Sequence, residues 1–151
     1  MTKYLNYFFI VFLIQACSYE PIFSSKQYDF EFVSINYDGD IKINQIIKDK
    51  LKNNINGDKK YELYFKTNHE RKIISSDSKG DPKIYKLELN LNYVVSENGK
   101  KVLEDKILKE STYNNINDKY ELSKYEQNVL NNLSLIISNE ILFSIKVLNK
   151  W

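Results

Sequence analysis

A chain of 151 residues carrying 22 Lys and Arg against 20 Asp and Glu has material for one hydrophobic core. Its near-neutral balance provides no global field to steer it onto nucleic acid, and no run of basic residues is interleaved with aromatics. With one cysteine and one histidine, a disulfide framework is excluded, and so is a His/Cys metal site of ordinary ligand spacing.

In chain order, the first feature is an apolar run from Tyr4 to Ile14, preceded by Lys3 and closed by Ile14-Gln15-Ala16-Cys17. The run has the length of a signal-peptide h-region, roughly 7 to 15 residues, with small Ala16 just before the cut. It is too short for a bilayer span of about 20 apolar residues. Cys17 falls where a lipobox places its cysteine, whose thiol takes a diacylglyceryl group and whose amine is acylated after cleavage. Two plainer readings are a free Cys17 thiol behind an ordinary secretory leader and an uncleaved anchor over Tyr4 to Ile14. A lone cysteine in an exported chain then needs another role, so the lipoprotein reading is adopted. It divides the chain into a signal peptide over 1–16, a lipidated tether over 17–27 containing Pro21, and a domain over 28–151. Two or three acyl chains on one residue hold a protein stably on a membrane. No cofactor beyond this covalent lipid on Cys17 is expected.

The mature domain opens with an expected strand over Tyr28 to Tyr37, containing Phe30, Phe32, Val33 and Ile35, and broken by Asp38-Gly39-Asp40. From Ile41, apolar residues Ile43, Ile46, Ile47, Leu51 and Ile55 recur at three and four, which predicts an amphipathic helix capped by Asp40 with Gly57 just beyond its end. Tyr61, Leu63 and Phe65 alternate as a second strand. The clearest strand follows: Tyr85, Leu87, Leu89, Leu91, Tyr93 and Val95 alternate with polar neighbours, as in a sheet with one wet face. Asn98-Gly99 suits a type I′ turn, and Val102 to Tyr113 returns with so many charges that it should be solvent-exposed or at an edge. A long last helix starts near Tyr120, with Leu122, Tyr125, Val129, Leu133, Ile136, Ile137, Ile141, Ile145 and Leu148 on its apolar face.

Each helix has one apolar stripe and the best strand has one apolar face. The expected fold is therefore α+β in the order β-α-β-β-β-α, with two helices packed on one face of a four-stranded mixed β-sheet. The last three strands form an antiparallel meander and the first joins parallel to a neighbour.

Nothing in the chain has the pattern of a catalytic centre. His69 lies in a charged stretch, His69-Glu70-Arg71-Lys72, expected to be a solvated loop. Gly39, Gly57, Gly80 and Gly99 are scattered singly, so no phosphate-cradling loop is present. Adjacent Glu104 and Asp105 should point to opposite faces of their strand. The chain is not expected to be an enzyme.

The opening Cys17-Ser18-Tyr19-Glu20-Pro21-Ile22-Phe23 resembles the Cys-Gly-Phe-x-Pro-Leu-Tyr start of the lipopolysaccharide-assembly lipoprotein family LptE, in its alphaproteobacterial form. The resemblance continues in order through Ile46-Ile47-Lys48-Asp49-Lys50-Leu51, Tyr61-Glu62-Leu63, Tyr85 to Leu89 and Gly99-Lys100-Lys101-Val102-Leu103. It extends through Ser111-Thr112-Tyr113-Asn114 and Tyr120 into the last helix. Ser18 replaces the usual glycine, and Asn and Ile replace the basic, alanine-rich composition of the family's last helix.

The resemblance implies two helices on a four-stranded sheet, as inferred from the pattern. It also implies a lipid-anchored protein on the periplasmic face of the outer membrane, plugging and helping to assemble the β-barrel LptD, with affinity for lipopolysaccharide and no covalent chemistry. Ser18 is not the Asp that retains lipoproteins at the inner membrane, so outer-membrane sorting is expected. The implied lipid-contact positions are Arg71, Lys72, Lys79 and Lys83, in what should be a loop between the second and third strands, and Lys119 and Lys124 by the last helix. Their alternative reading is ordinary solvated charge. Trp151 is either an anchor against the barrel wall or a frayed end. The rival function is an independent periplasm-facing binding or scaffold lipoprotein with no barrel partner, since a fold alone does not set function.

Overall fold

The computed structural model describes residues 28–52 and 55–149. The lipobox, Cys17, the tether and Trp151 lie outside the described residues. The elements are β1 (Tyr28–Asp38), α1 (Ile41–Lys52), β2 (Ile55–Ser76), β3 (Pro82–Glu97), β4 (Lys100–Asn114) and α2 (Lys119–Leu148). The strands lie in the order β1-β2-β3-β4, with β1 parallel to β2 and the other pairs antiparallel. This is the expected α+β arrangement.

The period-two alternation of β3 puts Tyr85, Leu87, Leu89, Leu91, Tyr93 and Val95 on the face where the helices pack, all buried. They join Phe30 and Ile35 from β1, Tyr61, Leu63 and Phe65 from β2, Ile43, Ile47 and Leu51 from α1, and Leu122, Val129, Leu133, Ile137, Ile141, Leu142 and Ile145 from α2. Charged β4 is the expected edge, and Glu104 and Asp105 alternate on it, opposite Val94 and Tyr93. The turn before it has φ of 50° at Asn98 and 74° at Gly99, the double positive φ of a type I′ hairpin.

A polar joint fixes α1 to the sheet. Asp40 caps the helix, its Oδ1 accepting from the amides of Lys42 at 2.9 Å and Ile43 at 3.0 Å. Buried Asn44 accepts from Thr67 Oγ1 at 2.6 Å and donates to the Asp38 carbonyl at 3.1 Å. Gly39 makes the corner at φ +107°, where a Cβ would collide with the Thr67 carbonyl oxygen. Only glycine fits both the angle and the approach.

Four expectations are corrected. Helix α1 ends at Lys52, so Ile55 belongs to β2 and Gly57 does not cap a helix. Gly57 sits where the β1–β2 register shifts, between the pairs Tyr28–Ile55 and Phe30–Lys59, and a Cβ there would strike the backbone of Asp29 and Phe30. Glycine permits the irregularity. Second, β2 extends through 22 residues, so His69, Arg71 and Lys72 are in a strand and not in a loop. Pairing continues from His69 to Leu89 and from Arg71 to Leu87, because the backbone of β3 needs a ladder partner beyond the point where apolar alternation in β2 stops. Third, Lys83 also falls in a strand, near the start of β3. Fourth, Tyr125 and Ile136 are not on the buried stripe of α2 but are 43% and 49% exposed. Ser134, Ser138 and Leu142 are buried instead. The serine hydroxyls are satisfied within the helix, donating to the carbonyls of Leu130 at 2.7 Å and Ser134 at 2.8 Å, which lets polar side chains lie in the core.

Candidate functional site

The two ends of the sheet differ. At one, β1 begins beside the end of α2: Phe30 and Phe32 pair with Lys59 and Tyr61, which donate to Asn149 Oδ1 at 3.1 Å and 2.5 Å. The chain arriving from Cys17 must enter here. At the far end the first turns of α2 lie against the long hairpin of β2 and β3 and the end of β4. Asp118 caps α2 by accepting from the amides of Tyr120 and Glu121. The hairpin closes at Asp77, whose Oδ1 accepts from the amides of Lys79 at 2.8 Å and Asp81 at 2.9 Å.

A compact polar and aromatic cluster occupies this far end. Arg71 Nη1 is 2.9 Å from Glu126 Oε1, and its guanidinium lies 4.8 Å from the centre of the Tyr85 ring. Tyr113 donates its hydroxyl to the same carboxylate oxygen at 2.6 Å. The Tyr113 ring is 5.7 Å from Tyr85 and 5.5 Å from Tyr125. The hydrogen bond to Glu126 raises the Arg71 pKa. Burial, followed by the same carboxylate, pushes the Tyr113 phenol well above its usual 10.0, because both disfavour phenolate. Beside the cluster is a groove of about 460 Å³ lined by Ile84, Thr112, Tyr113, Asn114, Ile116 and Tyr125. Ile73, Ile74 and Tyr120 are more than half or about half exposed nearby in the sequence of the same elements.

The structure separates the implied lipid-contact residues. Strand alternation sends Arg71 to the helix-bearing face and Lys72 to the open face. There Lys72 Nζ is 2.5 Å from Glu88 and 3.4 Å from Glu70, and Lys86 bridges Glu88 and Glu110 at 2.8 Å and 3.2 Å. Lys72 therefore belongs to a cross-strand ladder of alternating charge. Lys79 occupies the hairpin turn, Lys83 shares the alternation of Tyr85, Lys119 is the first residue of α2, and Lys124 lies in its second turn. None of these four has an ion-pair partner among the described residues.

The far end is not a net-basic patch, since Asp77, Asp81, Asp118, Glu121 and Glu126 share its elements with Arg71, Lys79, Lys83, Lys119 and Lys124. Its character is amphiphilic: lysines without an ion-pair partner among the described residues share these elements with Ile73, Ile74, Ile84, Tyr85, Tyr120 and Tyr125. Sequence reasoning missed the meeting of Tyr85, Tyr113, Tyr125 and Glu126, which comes about only through pairing of distant strands; the alternation of Tyr85 and the helical period of Tyr125 marked those two as core. His69 lies in β2 with Nδ1 3.8 Å from Asp40 Oδ2, on the rim of a cleft of about 550 Å³ between the start of α1 and the middle of α2. Among the described residues no group of His, Cys, Asp and Glu is placed to hold a metal ion, and no helix is long and apolar enough to cross a membrane.

No protein-family model matches the chain, and no curated protein sequence matches it. Solved structures match the fold. Rare lipoprotein B from Shewanella oneidensis superposes with a TM-score of 0.59 at 17% identity, over 74% of this chain and 92% of its own. Lipoprotein B from Nitrosomonas europaea gives 0.63 at 12% identity, over 83% and 90%. A minor lipoprotein from Acinetobacter baumannii gives 0.57 at 12% identity, over 80% and 92%. The architecture is thus that of a class of bacterial lipoprotein domains, and at these identities the likeness is one of fold.

Proposed function

We propose that this chain is an outer-membrane lipoprotein of the LptE kind, anchored through Cys17 on the periplasmic face, whose domain plugs and helps assemble an LptD-type β-barrel and meets lipopolysaccharide at its far end. The observation that carries the reading is a conjunction: the only cysteine stands in a lipobox, ahead of a domain whose fold recurs in lipoproteins. The ordered motif resemblance from Cys17 to the last helix supports the family. The amphiphilic far end supports the ligand, because lipopolysaccharide combines phosphates, which attract ammonium and guanidinium groups, with apolar chains suited to a tyrosine- and isoleucine-lined groove. Arg71, Lys79, Lys83, Lys119 and Lys124 are the lipid-contact residues of this proposal; Lys72 is left out, because it lies on the other face. The chain is read as carrying out no covalent chemistry and needing no cofactor.

The test is depletion together with affinity purification from detergent-solubilised outer membrane. The expected result is an LptD-type barrel co-purifying with the tagged chain, less correctly assembled barrel after depletion, and less lipopolysaccharide at the cell surface. Unchanged barrel assembly and surface lipopolysaccharide would overturn the assembly role and leave the independent scaffold lipoprotein as the reading.

A further inference from the structure

Among the cations assigned above to lipid contact, Lys79, Lys83, Lys119 and Lys124 have no ion-pair partner among the described residues, and Arg71 has one. Arg71 Nη1 lies 2.9 Å from Glu126 Oε1, the only side-chain hydrogen bond of Arg71 among the described residues. The guanidinium thereby spends one N–H donor and keeps the rest. The same carboxylate oxygen accepts from the Tyr113 hydroxyl at 2.6 Å, and the guanidinium packs on the Tyr85 ring at 4.8 Å. The pair is lopsided, since the Arg71 side chain is 48% exposed and that of Glu126 19%. Arg71 therefore reaches solvent, while its counter-charge is held further in, on α2, by Tyr113.

We infer that Glu126 is a built-in competitor for Arg71 and makes the far end selective for a dianionic phosphate monoester over singly charged anions; the inference rests on the reading above that this end meets anionic lipid, and it specifies the headgroup. The guanidinium is the group here that can grip a phosphate through two parallel hydrogen bonds, whereas each ammonium is a point charge. A ligand that takes it must replace what Glu126 supplies. A carboxylate or a phosphodiester brings a single negative charge, no more than Glu126 already provides, so the exchange gains little. A phosphate monoester carries about −1.5 to −2 at pH 7 and three acceptor oxygens. At equal distance its attraction is up to about twice that of the carboxylate, and it can use the donors that Glu126 leaves open.

Tyr113 is what allows Glu126 to give way. Its hydroxyl still donates to the carboxylate once Arg71 has left, so the released charge keeps a hydrogen bond in a partly buried position. Burial and the carboxylate raise the pKa of this phenol, which keeps it a donor at physiological pH. The groove lined by Ile84, Ile116, Tyr113 and Tyr125 adjoins the pair and offers apolar surface to the rest of the ligand. The selectivity has a use in the setting proposed above. A domain tethered to a bilayer is surrounded by phosphodiester headgroups, and an unopposed guanidinium would bind those as well.

The experiment titrates the full chain, in neutral detergent micelles, with short-chain phosphatidic acid (a monoester), short-chain phosphatidylglycerol (a diester) and inorganic phosphate, followed by calorimetry. With Glu126 in place, Arg71→Gln should weaken phosphatidic acid binding and leave phosphatidylglycerol binding unchanged. Glu126→Gln keeps an acceptor for Tyr113 and removes the competing charge. It should tighten phosphatidylglycerol binding about threefold, the scale of a partly exposed ion pair, and adding Arg71→Gln should remove that gain. Tyr113→Phe keeps the ring and should weaken phosphatidic acid binding, the opposite sign to Glu126→Gln. Tighter binding of phosphatidic acid than of inorganic phosphate assigns a lipid headgroup; equal binding assigns the free ion, with the selectivity intact. If phosphatidylglycerol binds wild type and Glu126→Gln alike, or if Arg71→Gln weakens both lipids equally in the presence of Glu126, the inference is overturned and the lipid reading of this end stands. Weaker phosphatidic acid binding in both Glu126→Gln and Tyr113→Phe would make the pair a structural brace and also overturn it. If wild type binds none of the three probes, the lipid reading falls and takes the inference with it.

Discussion

Leu89 lies at the centre of β3 and is fully buried beneath the helices, with His69 and Lys109 as its lateral partners on β2 and β4. Truncation to alanine removes three carbons from that interior. At about 0.8 kcal/mol per buried methylene the transfer loss is roughly 2.4 kcal/mol. The cavity adds about 1 kcal/mol or more, because a ladder paired on both sides cannot close around it, so the total falls near 3 to 4 kcal/mol. For a domain of this size each kcal/mol lowers Tm by about 3–5 °C, giving a fall of roughly 9–20 °C. Leu108, on the open face of β4 and 49% exposed, provides the comparison: Leu108→Ala should shift stability by less than about 1 kcal/mol. Urea and thermal unfolding followed by circular dichroism measure both, with the slope m checked for constancy. Leu89→Asp should be worse than Leu89→Ala, since it also buries a charge. Equal destabilisation by Leu89→Ala and Leu108→Ala would refute the assignment of the covered face and, with it, the placement of both helices.

Gly39→Ala should destabilise more than Gly80→Ala by about 1 kcal/mol or more: both have positive φ, but a Cβ at Gly39 meets Thr67 and one at Gly80 meets nothing. Equal urea midpoints for the two would contradict the tight joint between α1 and β2. Glu88 is held below its usual 4.5 by Lys72 first and Lys86 next. A depressed folded pKa stabilises above the unfolded value and the contribution disappears as pH falls through the folded one, so Glu88→Gln should flatten the acid limb of stability below about pH 4.5. For Tyr113 the sign reverses: its raised pKa means stability fully present below pH 10 and lost above it, and phenolate absorbance of wild type against Tyr113→Phe should show one tyrosine missing only at the most alkaline end of the titration. Charge reversal at Lys79 together with Lys124 should weaken binding of purified lipopolysaccharide with an unchanged melt, and wild-type binding should weaken with salt as the Debye length contracts from about 10 Å at 0.1 M to about 3 Å at 1 M. Cys17→Ala should leave an uncleaved, unacylated precursor by mass spectrometry, whereas an unmodified Cys17 thiol in the wild-type protein would remove the anchor from the proposal.

The sequence by itself determined what depends on near neighbours along the chain. Alternation from Tyr85 to Val95, the helical period from Ile43 to Leu51, the Asp40 cap and the Asn98-Gly99 turn are local patterns, so six elements and their order were legible, and the apolar faces dictated how they stack. Element ends and side-chain partners were less legible, because they are decided across strands. Gly57 has the look of a helix stop until the parallel pairing brings Asp29 and Phe30 against it. Arg71 and Lys72 form one basic pair in sequence, yet alternation sends them to opposite faces once β2 is known to run to Ser76. The meeting of Arg71, Tyr85, Tyr113 and Glu126 joins three strands and a helix, and no periodicity encodes it. The exposed side of α2 was hidden for a related reason: Tyr125 and Ile136 read as core by hydrophobicity, yet Ser134, Ser138 and Leu142 are the buried side chains and Tyr125 and Ile136 stay outward. Hydrophobicity specifies that a side chain gains by leaving water; the tertiary fold decides which of several such side chains on a 30-residue helix have a surface to leave it for.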